Sequence, residues 1–306
     1  MPRTPWRTAL DQLRRDNRSG ASEITITALH MLIDAVGDSV PGTAGAYRSW
    51  LVRTSRELVA AQPAMASLFR LVNDMLWEVD TAPTGERMRQ AALSYLQSYQ
   101  ARNEAALDAL EQSAVAFLTP YGGIMTYSRS ATVARALRAL RQGNRNLRVF
   151  CSEGRPALEG QALASELAWA DIDVTLGVDM ALFGWLGEVR ALVVGADSLS
   201  ASGLVNKLGT EALMRAAAER DLPRIVLCTG MKLLPSDYVL QQGLRSGDPE
   251  EIMPVSSKHL TVRNVYFDVT PLDLVSTVIT ERGPLGHTEL LAELSGLQTY
   301  PGLRGK

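Results

Sequence analysis

Cysteine and histidine are both scarce in this chain of 306 residues. The two cysteines, Cys151 and Cys228, are too few for the disulfide framework of a secreted domain or for a four-thiolate zinc site. Each lies in an apolar, strand-like run, so we expect two buried free thiols. The three histidines, His30, His259 and His287, follow no metal-ligand spacing. The glycines form neither a GxGxxG loop nor a Walker loop. We therefore predict no bound metal and no cofactor.

Charge of one sign and long apolar runs are also lacking. The formal net charge is −2 at pH 7, which gives no electrostatic basis for binding nucleic acid directly. No stretch reaches the roughly 18 consecutive apolar residues of a membrane-spanning helix. The opening segment, "MPRTPWRTALDQLRRDNRSG", lacks the apolar core of a signal peptide. We therefore predict a cytoplasmic protein with no membrane partner.

Helical periodicity dominates residues 1–118. In "SGASEITITALHMLIDAV" the apolar residues Ile24, Ala28, Met31 and Ala35 recur at helical spacing. The segments "GTAGAYRSWLVRTSRELVAA" and "AMASLFRLVNDMLWEVD" continue this pattern. The segment "TGERMRQAALSYLQSYQARNEAALDALEQSAVAFL" has no glycine or proline after Gly85 and would extend about 50 Å as a single helix. We predict a helical N-terminal domain over residues 1–118.

The pattern changes after Pro120, where short apolar runs alternate with helical segments. The runs are "GGIMTYS", "LRVFCSE", "DVTLGVD", "VRALVVGAD", "RIVLCTG" and "NVYFDVTP". The helical segments between them are "SATVARALRALRQ", "EGQALASELAWA", "MALFGWLG" and "TEALMRAAAERD". Such alternation is typical of a parallel sheet with helices on both faces. We predict an α/β fold, with a Rossmann-like domain and a mostly parallel sheet over residues 119–306.

In an open parallel sheet, ligands bind beyond the carboxyl ends of the strands. The residues expected there are Thr126 to Ser130, Glu153 to Gly160, Asp179, Asp197, Gly230 to Lys232, Asp268 and Thr270. Asp197 directly follows "ALVVGA", where a carboxylate either braces a loop or acts as a general acid or base. Asn206 and Lys207 precede Gly209, Thr210 and a helix, whose N-terminal N–H groups favour a phosphate. The alternative is a solvated lysine beside a capped helix.

Two further strand-to-helix loops carry groups that suit an anion. In "SEGRPALEGQAL", Arg155 either grips a phosphate or carboxylate or pairs with a glutamate such as Glu159 to hold the loop closed. In "GGIMTYSRSATVARAL", Ser128, Arg129 and Ser130 surround a helix start, which suits either a phosphate or a simple serine cap. The apolar segment "DMALFGWLG" either packs on the sheet or contacts a second subunit.

Four of these segments, taken in order, resemble one superfamily. It comprises the alpha, beta and delta subunits of translation initiation factor 2B, together with methylthioribose-1-phosphate isomerase and ribose-1,5-bisphosphate isomerase. The segments are "GGIMTYSRSATVARAL", "SEGRPALEGQALASELAWADIDVTLGVDMAL", "VVGADSLSASGLVNKLGTEAL" and "NVYFDVTPLDLVSTVITERG", within roughly residues 120–285. The resemblance implies a helical domain with a Rossmann-like domain, assembled into a homodimer or higher homo-oligomer. It also implies a phosphosugar or nucleotide pocket at the strand ends.

The resemblance also implies roles for individual residues. In the isomerases the carboxylate of the Gly-Ala-Asp motif is a catalytic acid or base, which implies that role for Asp197. The Asn-Lys pair contacts the ligand in the family, which implies that Asn206 and Lys207 bind a phosphosugar. The segment "NRSGAS" aligns with an Arg-Gly-Ala phosphate loop. Position at the strand ends and the resemblance together give these ligand-binding candidates: Arg18, Gly20, Ala21, Arg129, Ser130, Glu153, Arg155, Asn206, Lys207 and Lys232.

The chain departs from the family pattern at two positions. The isomerases carry a catalytic cysteine where this chain has Ser128. A thiol with a lowered pKa exchanges protons near neutrality, whereas a serine hydroxyl needs a strong neighbouring base. Cys151 is an alternative source of a thiol, although it lies in a different strand. An Arg-Pro-Thr segment that helps to bind phosphate in the isomerases corresponds here to Gln62-Pro63-Ala64.

Two functions from different classes remain. We predict an initiation-factor-2B-related protein that binds a sugar phosphate or nucleotide, regulatory or with altered catalysis because Ser128 replaces the isomerase cysteine. The alternative is an aldose–ketose isomerase of a phosphorylated pentose, ribose 1,5-bisphosphate or methylthioribose 1-phosphate. In that enzyme Asp197 is one of two acid/base groups. The sequence leaves open whether the protein is an enzyme.

Overall fold

The structure, a computed structural model, describes residues 5–16, 21–63, 65–238, 247–254 and 257–304. These residues fall into two compact units. The described parts of Met1–Ala105, Met231–Gln242 and Ser295–Lys306 form the first unit, and those of Ala106–Gly230 and Gly243–Leu294 form the second. The sequence predicts one boundary at 118/119. Here the division falls earlier, and the first unit also takes in two later segments.

The first unit is helical. Its helices are α1 (Pro5–Arg15), α2 (Ala21–Gly37), α3 (Ala44–Ala61), α4 (Ala66–Val79) and the first part of α5 (Gly85–Leu118). The start of α3 is fixed by Thr43, whose hydroxyl accepts a hydrogen bond from the N–H of Ala46. Leu234 and Tyr300 are buried in the same apolar core as these helices. Their burial explains why segments from later in the sequence belong to this unit.

Helix α5 is continuous over 34 residues, as the absence of glycine and proline after Gly85 favours. Met88 and Leu96, near its start, are buried in the core of the first unit. Leu110 and Leu118, near its end, are buried in the core of the second unit. The change of core therefore occurs inside this helix, and not after it as the predicted boundary requires.

The rest of the chain alternates strands and helices. In order they are β1 (Gly123–Met125), α6 (Ala131–Gly143), β2 (Arg148–Ser152), α7 (Glu159–Ala168), β3 (Asp173–Gly177), α8 (Ala181–Trp185), β4 (Ala191–Val194), β5 (Ser198–Ser200), β6 (Gly203–Lys207), α9 (Thr210–Ala218), β7 (Arg224–Leu227), β8 (Phe267–Thr270), β9 (Thr277–Thr280), β10 (Gly283–Leu285) and α10 (His287–Gly296). None of the helices in the described ranges has the length and apolarity needed to cross a bilayer.

The main sheet of the second unit has, over the described residues, the strand order β10-β9-β7-β4-β1-β2-β3. Neighbouring strands are parallel except for β9 and β10, which are antiparallel. All four residues of β4 are buried, as expected for a central strand covered on both faces. The predicted α/β class with a mostly parallel sheet is confirmed.

A second, antiparallel sheet contains β5, β6 and β8, in that order. The sequence does not predict this sheet. The many small residues after Asp197 are typical of a loop, but the structure has the hairpin of β5 and β6 there. The sequence also predicts "NVYFDVTP" as a further strand of the main sheet, which is wrong, because β8 pairs with β6 and β9 takes the place beside β7. Asp268 and Thr270 consequently lie within a strand of the small sheet.

Candidate functional site

The main sheet reverses its strand order at β1. From β1 the chain continues outward on one side through β2 and β3, and on the other side through β4, β7 and β9. In open α/β sheets, the crevice outside the carboxyl ends of the two strands at such a reversal is the usual ligand site. Here the residues that follow these two strands are Thr126–Ser130, after β1, and Gly195–Asp197, after β4. They include Ser128 and Asp197, the two predicted catalytic positions.

The loops after β1 and β4 touch each other at Gly195. A Cβ atom on Gly195 would lie 2.5 Å from the Oγ of Ser130, so only glycine permits this approach. Ser130 is also the N-cap of α6, and its Oγ accepts a hydrogen bond from the N–H of Val133. Ser128 has a φ of +63°, a left-handed conformation that is uncommon for a residue other than glycine. Such conformations cluster at ligand sites.

A hydrogen-bonded group of three side chains lies beyond the strand ends. The hydroxyl of Ser128 donates to Oε1 of Glu159 over 2.8 Å. The ammonium group of Lys207 is also 2.8 Å from Oε1, and the lysine side chain is only 7% exposed. Within the described residues, Oε2 of Glu159 is buried and has no hydrogen-bond partner. One carboxylate therefore holds a serine hydroxyl and a buried cation on one oxygen and keeps the other oxygen unused.

The start of α7 places Glu159 in this group. Glu159 is the first residue of the helix, and Gly160 is the second. The N–H of Gly160 donates to the carbonyl of Glu153, just beyond β2. A Cβ atom on Gly160 would lie 1.7 Å from the carbonyl oxygen of Ser152, so the helix can begin this close to β2 only with glycine here. Close packing of α7 on the strand end thus fixes the position of Glu159.

The hydroxyl of Tyr127 is sensitive to burial and to the charges of three carboxylates. Burial raises the pKa of Tyr127 well above its usual range, and the charges of Asp179, Glu159 and Asp268 raise it further. The hydroxyl therefore stays protonated, and it donates to the carbonyl oxygen of Leu208 over 2.6 Å. Tyr127 therefore connects the loop after β1 with Leu208, the residue directly after Lys207 at the end of β6.

Two of these carboxylates accept hydrogen bonds from backbone N–H groups. Asp179 accepts hydrogen bonds from the N–H groups of Gly154 and Arg155, each over 2.9 Å, and so braces the loop after β2. Asp268 accepts from the N–H groups of Gly209 and Glu211 at the start of α9. These are N–H groups at the helix start for which the sequence predicts a phosphate. They are already used by a carboxylate of the protein.

Burial raises the pKa of Asp268, while its hydrogen bonds with Gly209 and Glu211 act in the opposite direction. Its second oxygen, Oδ1, is buried without a hydrogen-bond partner among the described residues. Buried polar atoms are nearly always hydrogen-bonded in folded proteins. Asp268 and Glu159 thus each have one buried oxygen that no described group of the protein hydrogen-bonds.

The other predicted ligand-binding residues of the second unit differ in whether their side chains are already bonded within the protein. The amide of Asn206 donates to Oγ1 of Thr210, and that hydroxyl donates to the carbonyl of Lys207, so both residues brace the turn into α9. Arg129 is half-exposed and pairs with Glu166 over 3.3 Å. Arg155 is exposed.

The guanidinium group of Arg155 lies 3.5 Å from the carbonyl oxygen of Glu251, which is long for a hydrogen bond. The sequence leaves open a pairing of Arg155 with a glutamate of its own loop, but the structure pairs Glu159 with Lys207. Glu153, directly after β2, is partly buried, and its N–H donates to the carbonyl of Gly177. Asp197 is partly buried between β4 and β5, and its N–H donates to the carbonyl of Val205.

Four predicted ligand-binding residues lie elsewhere. Lys232 and Ala21 belong to the first unit. Arg18 and Gly20 lie outside the described residues. Gln62, at the position of the phosphate-binding arginine in the resemblance, is buried and donates to the carbonyls of Leu13 and Asp16. Gln62 therefore closes the C-terminal end of α1.

Cys151 lies within β2 and is almost fully buried. Burial raises the pKa of its thiol to about 11. A thiol in this state is almost entirely protonated near neutral pH, so it does not supply the missing thiolate. Within the described residues, no group of three or more His, Cys, Asp or Glu side chains is arranged to hold a metal ion.

Sequence reasoning missed Glu159 as a member of the group. It placed Tyr127 at the strand ends, within Thr126 to Ser130, but gave it no role of its own. Glu159 lies in a loop that the sequence marks, but there it was weighed only as a partner for Arg155. The available signal is its position at a helix start directly beyond a predicted strand, which is where side chains turn toward the strand ends. No local pattern indicates its pairing with Ser128, 31 residues away.

Comparison with known proteins gives consistent matches over most of the chain. A sequence model described as the Initiation factor 2 subunit family matches residues 17–286. The ribose 1,5-bisphosphate isomerase of Haloferax volcanii is 30% identical over 288 residues, which cover 90% of this chain and 88% of that protein. The methylthioribose-1-phosphate isomerase of Anaeromyxobacter sp. is 32% identical over 269 residues, covering 81% and 77% of the respective chains.

Solved structures agree on the fold. The translation initiation factor eIF-2B structure from Pyrococcus horikoshii OT3 superposes with a TM-score of 0.73 at 26% sequence identity. That match covers 92% of this chain and 97% of the other. The similarity therefore extends over both units and includes the segments that carry Ser128, Glu159, Asp197 and Lys207.

Proposed function

Since the chain belongs to the Initiation factor 2 subunit family, we propose that it binds a phosphorylated pentose beyond β1 and β4 and interconverts its aldose and ketose forms. Two relatives named as isomerases of phosphorylated riboses match it over most of their length, which supports this reaction class. The observation that carries the proposal is the group of Ser128, Glu159 and Lys207 at the strand-order reversal.

The reaction needs two groups that exchange protons. From a pentose 1-phosphate to its ketose, the ring bond between C1 and O4 breaks, a proton leaves C2 and a proton is added at C1. The C2 hydroxyl loses its proton as the C2 carbonyl forms and O4 gains one, so no co-reactant is consumed. A carboxylate is suited to removing the proton from C2. We assign this step to Glu159, and the exchange at the neighbouring carbon to Asp197. Lys207 stabilises the negative charge that develops on the substrate oxygen.

Glu159 offers a base for proton exchange although Ser128 stands where the resemblance places a catalytic cysteine. A serine hydroxyl exchanges protons poorly by itself, but here it donates to a carboxylate that is itself a competent base. In this arrangement Ser128 and Lys207 both contact Oε1 and so orient the carboxylate. The thiol of the related isomerases is then replaced by a different base, and not by the serine that occupies its position.

A second candidate is binding without turnover, as in a regulatory member of the family. Two observations favour it: Ser128 stands where the resemblance places a catalytic cysteine, and the charge of Lys207 is balanced by Glu159. In this case the phosphosugar is held, and no proton is exchanged with its carbon atoms.

The test measures binding and turnover separately. The purified protein is mixed with ribose 1,5-bisphosphate or methylthioribose 1-phosphate, ketose formation is followed by NMR, and binding is measured as the rise in Tm. We expect Glu159→Gln and Asp197→Asn to lower kcat by about 100-fold or more and to keep the Tm rise. Lys207→Met should lose most of the Tm rise.

Glu211→Gln is the matched control, because Glu211 is a glutamate in the first turn of α9 that pairs with Arg215 at the surface. It should behave as the wild type in both measurements. A Tm rise without any ketose in the wild type contradicts the isomerase and supports binding alone. No Tm rise with any phosphosugar or nucleotide contradicts both candidates.

A further inference from the structure

The first unit contains a cavity of about 800 Å³ that lies between α1, α2 and α3. Its walls include Trp6 of α1, Met31 of α2, and Tyr47 and Trp50 of α3. A volume of this size and a lining of apolar and aromatic side chains are typical of small-molecule sites. None of the residues proposed above for the isomerase site lines it, so the inference is independent of that function.

The aromatic walls are held in place. The rings of Tyr47 and Trp50 stack with their centroids 5.3 Å apart. The hydroxyl of Tyr47 is 2.7 Å from Oγ of Ser39 and shares a hydrogen bond with it. The indole N–H of Trp6 donates to Oε2 of Glu57 over 3.3 Å. The rings therefore need little ordering when a ligand binds, which favours affinity.

The charged groups on the cavity are acidic. Asp34 and Asp38 line it, one helical turn apart at the C-terminal end of α2, and both are exposed. The described part of the lining contains no lysine, arginine or histidine. The C-terminal end of a helix already carries partial negative charge, and the last turn of α2 has no basic residue to offset it. Two carboxylates at this end are unfavourable unless a cation approaches them.

We propose that this cavity binds a small organic cation with an apolar body, of the aryl- or alkylammonium class. The aromatic rings contact the body and attract the cationic group through their π-electrons, Trp most strongly. Asp34 and Asp38 supply the opposite charge at the rim. An anionic ligand of the same shape is repelled by both carboxylates.

Three probes of one shape test the charge requirement: 2-phenylethylammonium, the neutral 2-phenylethanol and the anionic phenylacetate. Binding is followed by tryptophan fluorescence, because Trp6 and Trp50 line the cavity, and is checked by calorimetry. We expect the cation to bind about tenfold more tightly than the alcohol, and phenylacetate to show no binding. The double variant Asp34→Asn/Asp38→Asn should lower the affinity for the cation about tenfold and leave that for the alcohol unchanged.

Asp273→Asn, an exposed aspartate of the second unit, is the matched control and should leave all three affinities unchanged. Trp50→Leu should lower the affinity for the cation and for the alcohol alike, because it removes part of the cavity wall that both probes contact. Equal affinity for the three probes overturns the proposal, as does the absence of binding of the cation up to roughly 10 mM.

Discussion

The side chain of Cys151 lies in the interior of the main sheet, on β2, where burial raises the pKa of its thiol to about 11. At pH 7.5 such a thiol is almost entirely protonated. Under the proposed isomerase function, a group other than this thiol acts in place of the cysteine that the resemblance puts at position 128. At the scale of single residues Glu159 is better placed than Cys151, because it is a partly exposed carboxylate that accepts a hydrogen bond from Ser128.

We therefore predict that Cys151→Ala keeps both the Tm rise with a phosphosugar and the rate of ketose formation. In the folded wild type, iodoacetamide should label Cys151 only slowly at pH 7.5, with the rate rising about tenfold per pH unit as the thiolate forms. The same protein in urea provides the control, because unfolding restores an ordinary thiol pKa. Rapid labelling of the folded protein, or loss of turnover in a folded Cys151→Ala, would contradict this assignment.

The sequence predicts which residues lie at the strand ends, but it does not predict which side chains pair with each other there. Asp197 and Ser128 follow strands that the apolar runs mark clearly, so the sequence places both at the correct end of the sheet. The contact of Glu159 with Lys207 depends on β6 pairing with β8 in a second sheet, which no local pattern indicates. A side-chain pairing set by tertiary contacts of this kind cannot be derived from spacing along the chain.

At the scale of elements, the start of α7 determines where Glu159 lies. Gly160 approaches the carbonyl of Ser152 so closely that a Cβ atom would be 1.7 Å from its oxygen. We predict that Gly160→Ala lowers the free energy of unfolding by about 1–3 kcal/mol, because α7 must move away from β2. The displaced Glu159 should also lose its contacts, and the Tm rise with a phosphosugar should shrink.

Gly184→Ala is the matched control for this prediction. Gly184 lies in α8, and a Cβ atom there would meet no atom within 4 Å. Alanine favours helix more than glycine does, so this variant should gain up to about 1 kcal/mol. Urea denaturation measures both effects. An unchanged stability of Gly160→Ala would mean that α7 does not begin against β2 as described.

The elements that the sequence misses share a physical cause. Residues 198–200 are two serines around a leucine, too short an apolar pattern to indicate a strand, but they form one because β6 pairs with them. β8 contains the strand-like pattern that was predicted, yet its place in the sheet is decided by its partner. Periodicity reports which segments are extended, whereas pairing is a property of the folded chain.

At the scale of the whole molecule, the predicted homo-oligomer requires a surface that another copy covers. Among the described residues β3 is the last strand on one side of the main sheet, so one side of its backbone has no neighbouring strand there. Leu176, at the end of this strand, and Val178 and Met180, just after it, are 45%, 60% and 74% exposed. The same segment continues into buried Leu182 and Leu186, so "DMALFGWLG" packs on its own unit and presents Met180 outward.

We predict that the wild type is a homodimer or larger, and that Val178→Asp/Met180→Asp converts it to a monomer. A carboxylate buried at such a contact without a partner costs several kcal/mol, which raises the dissociation constant by about 100-fold or more. Light scattering after size-exclusion chromatography measures the mass of both proteins. Leu291→Asp, at a comparably exposed leucine of α10, is the control and should keep the wild-type mass. A monomeric wild type would contradict the prediction, and an oligomeric double variant would place the contact on another surface.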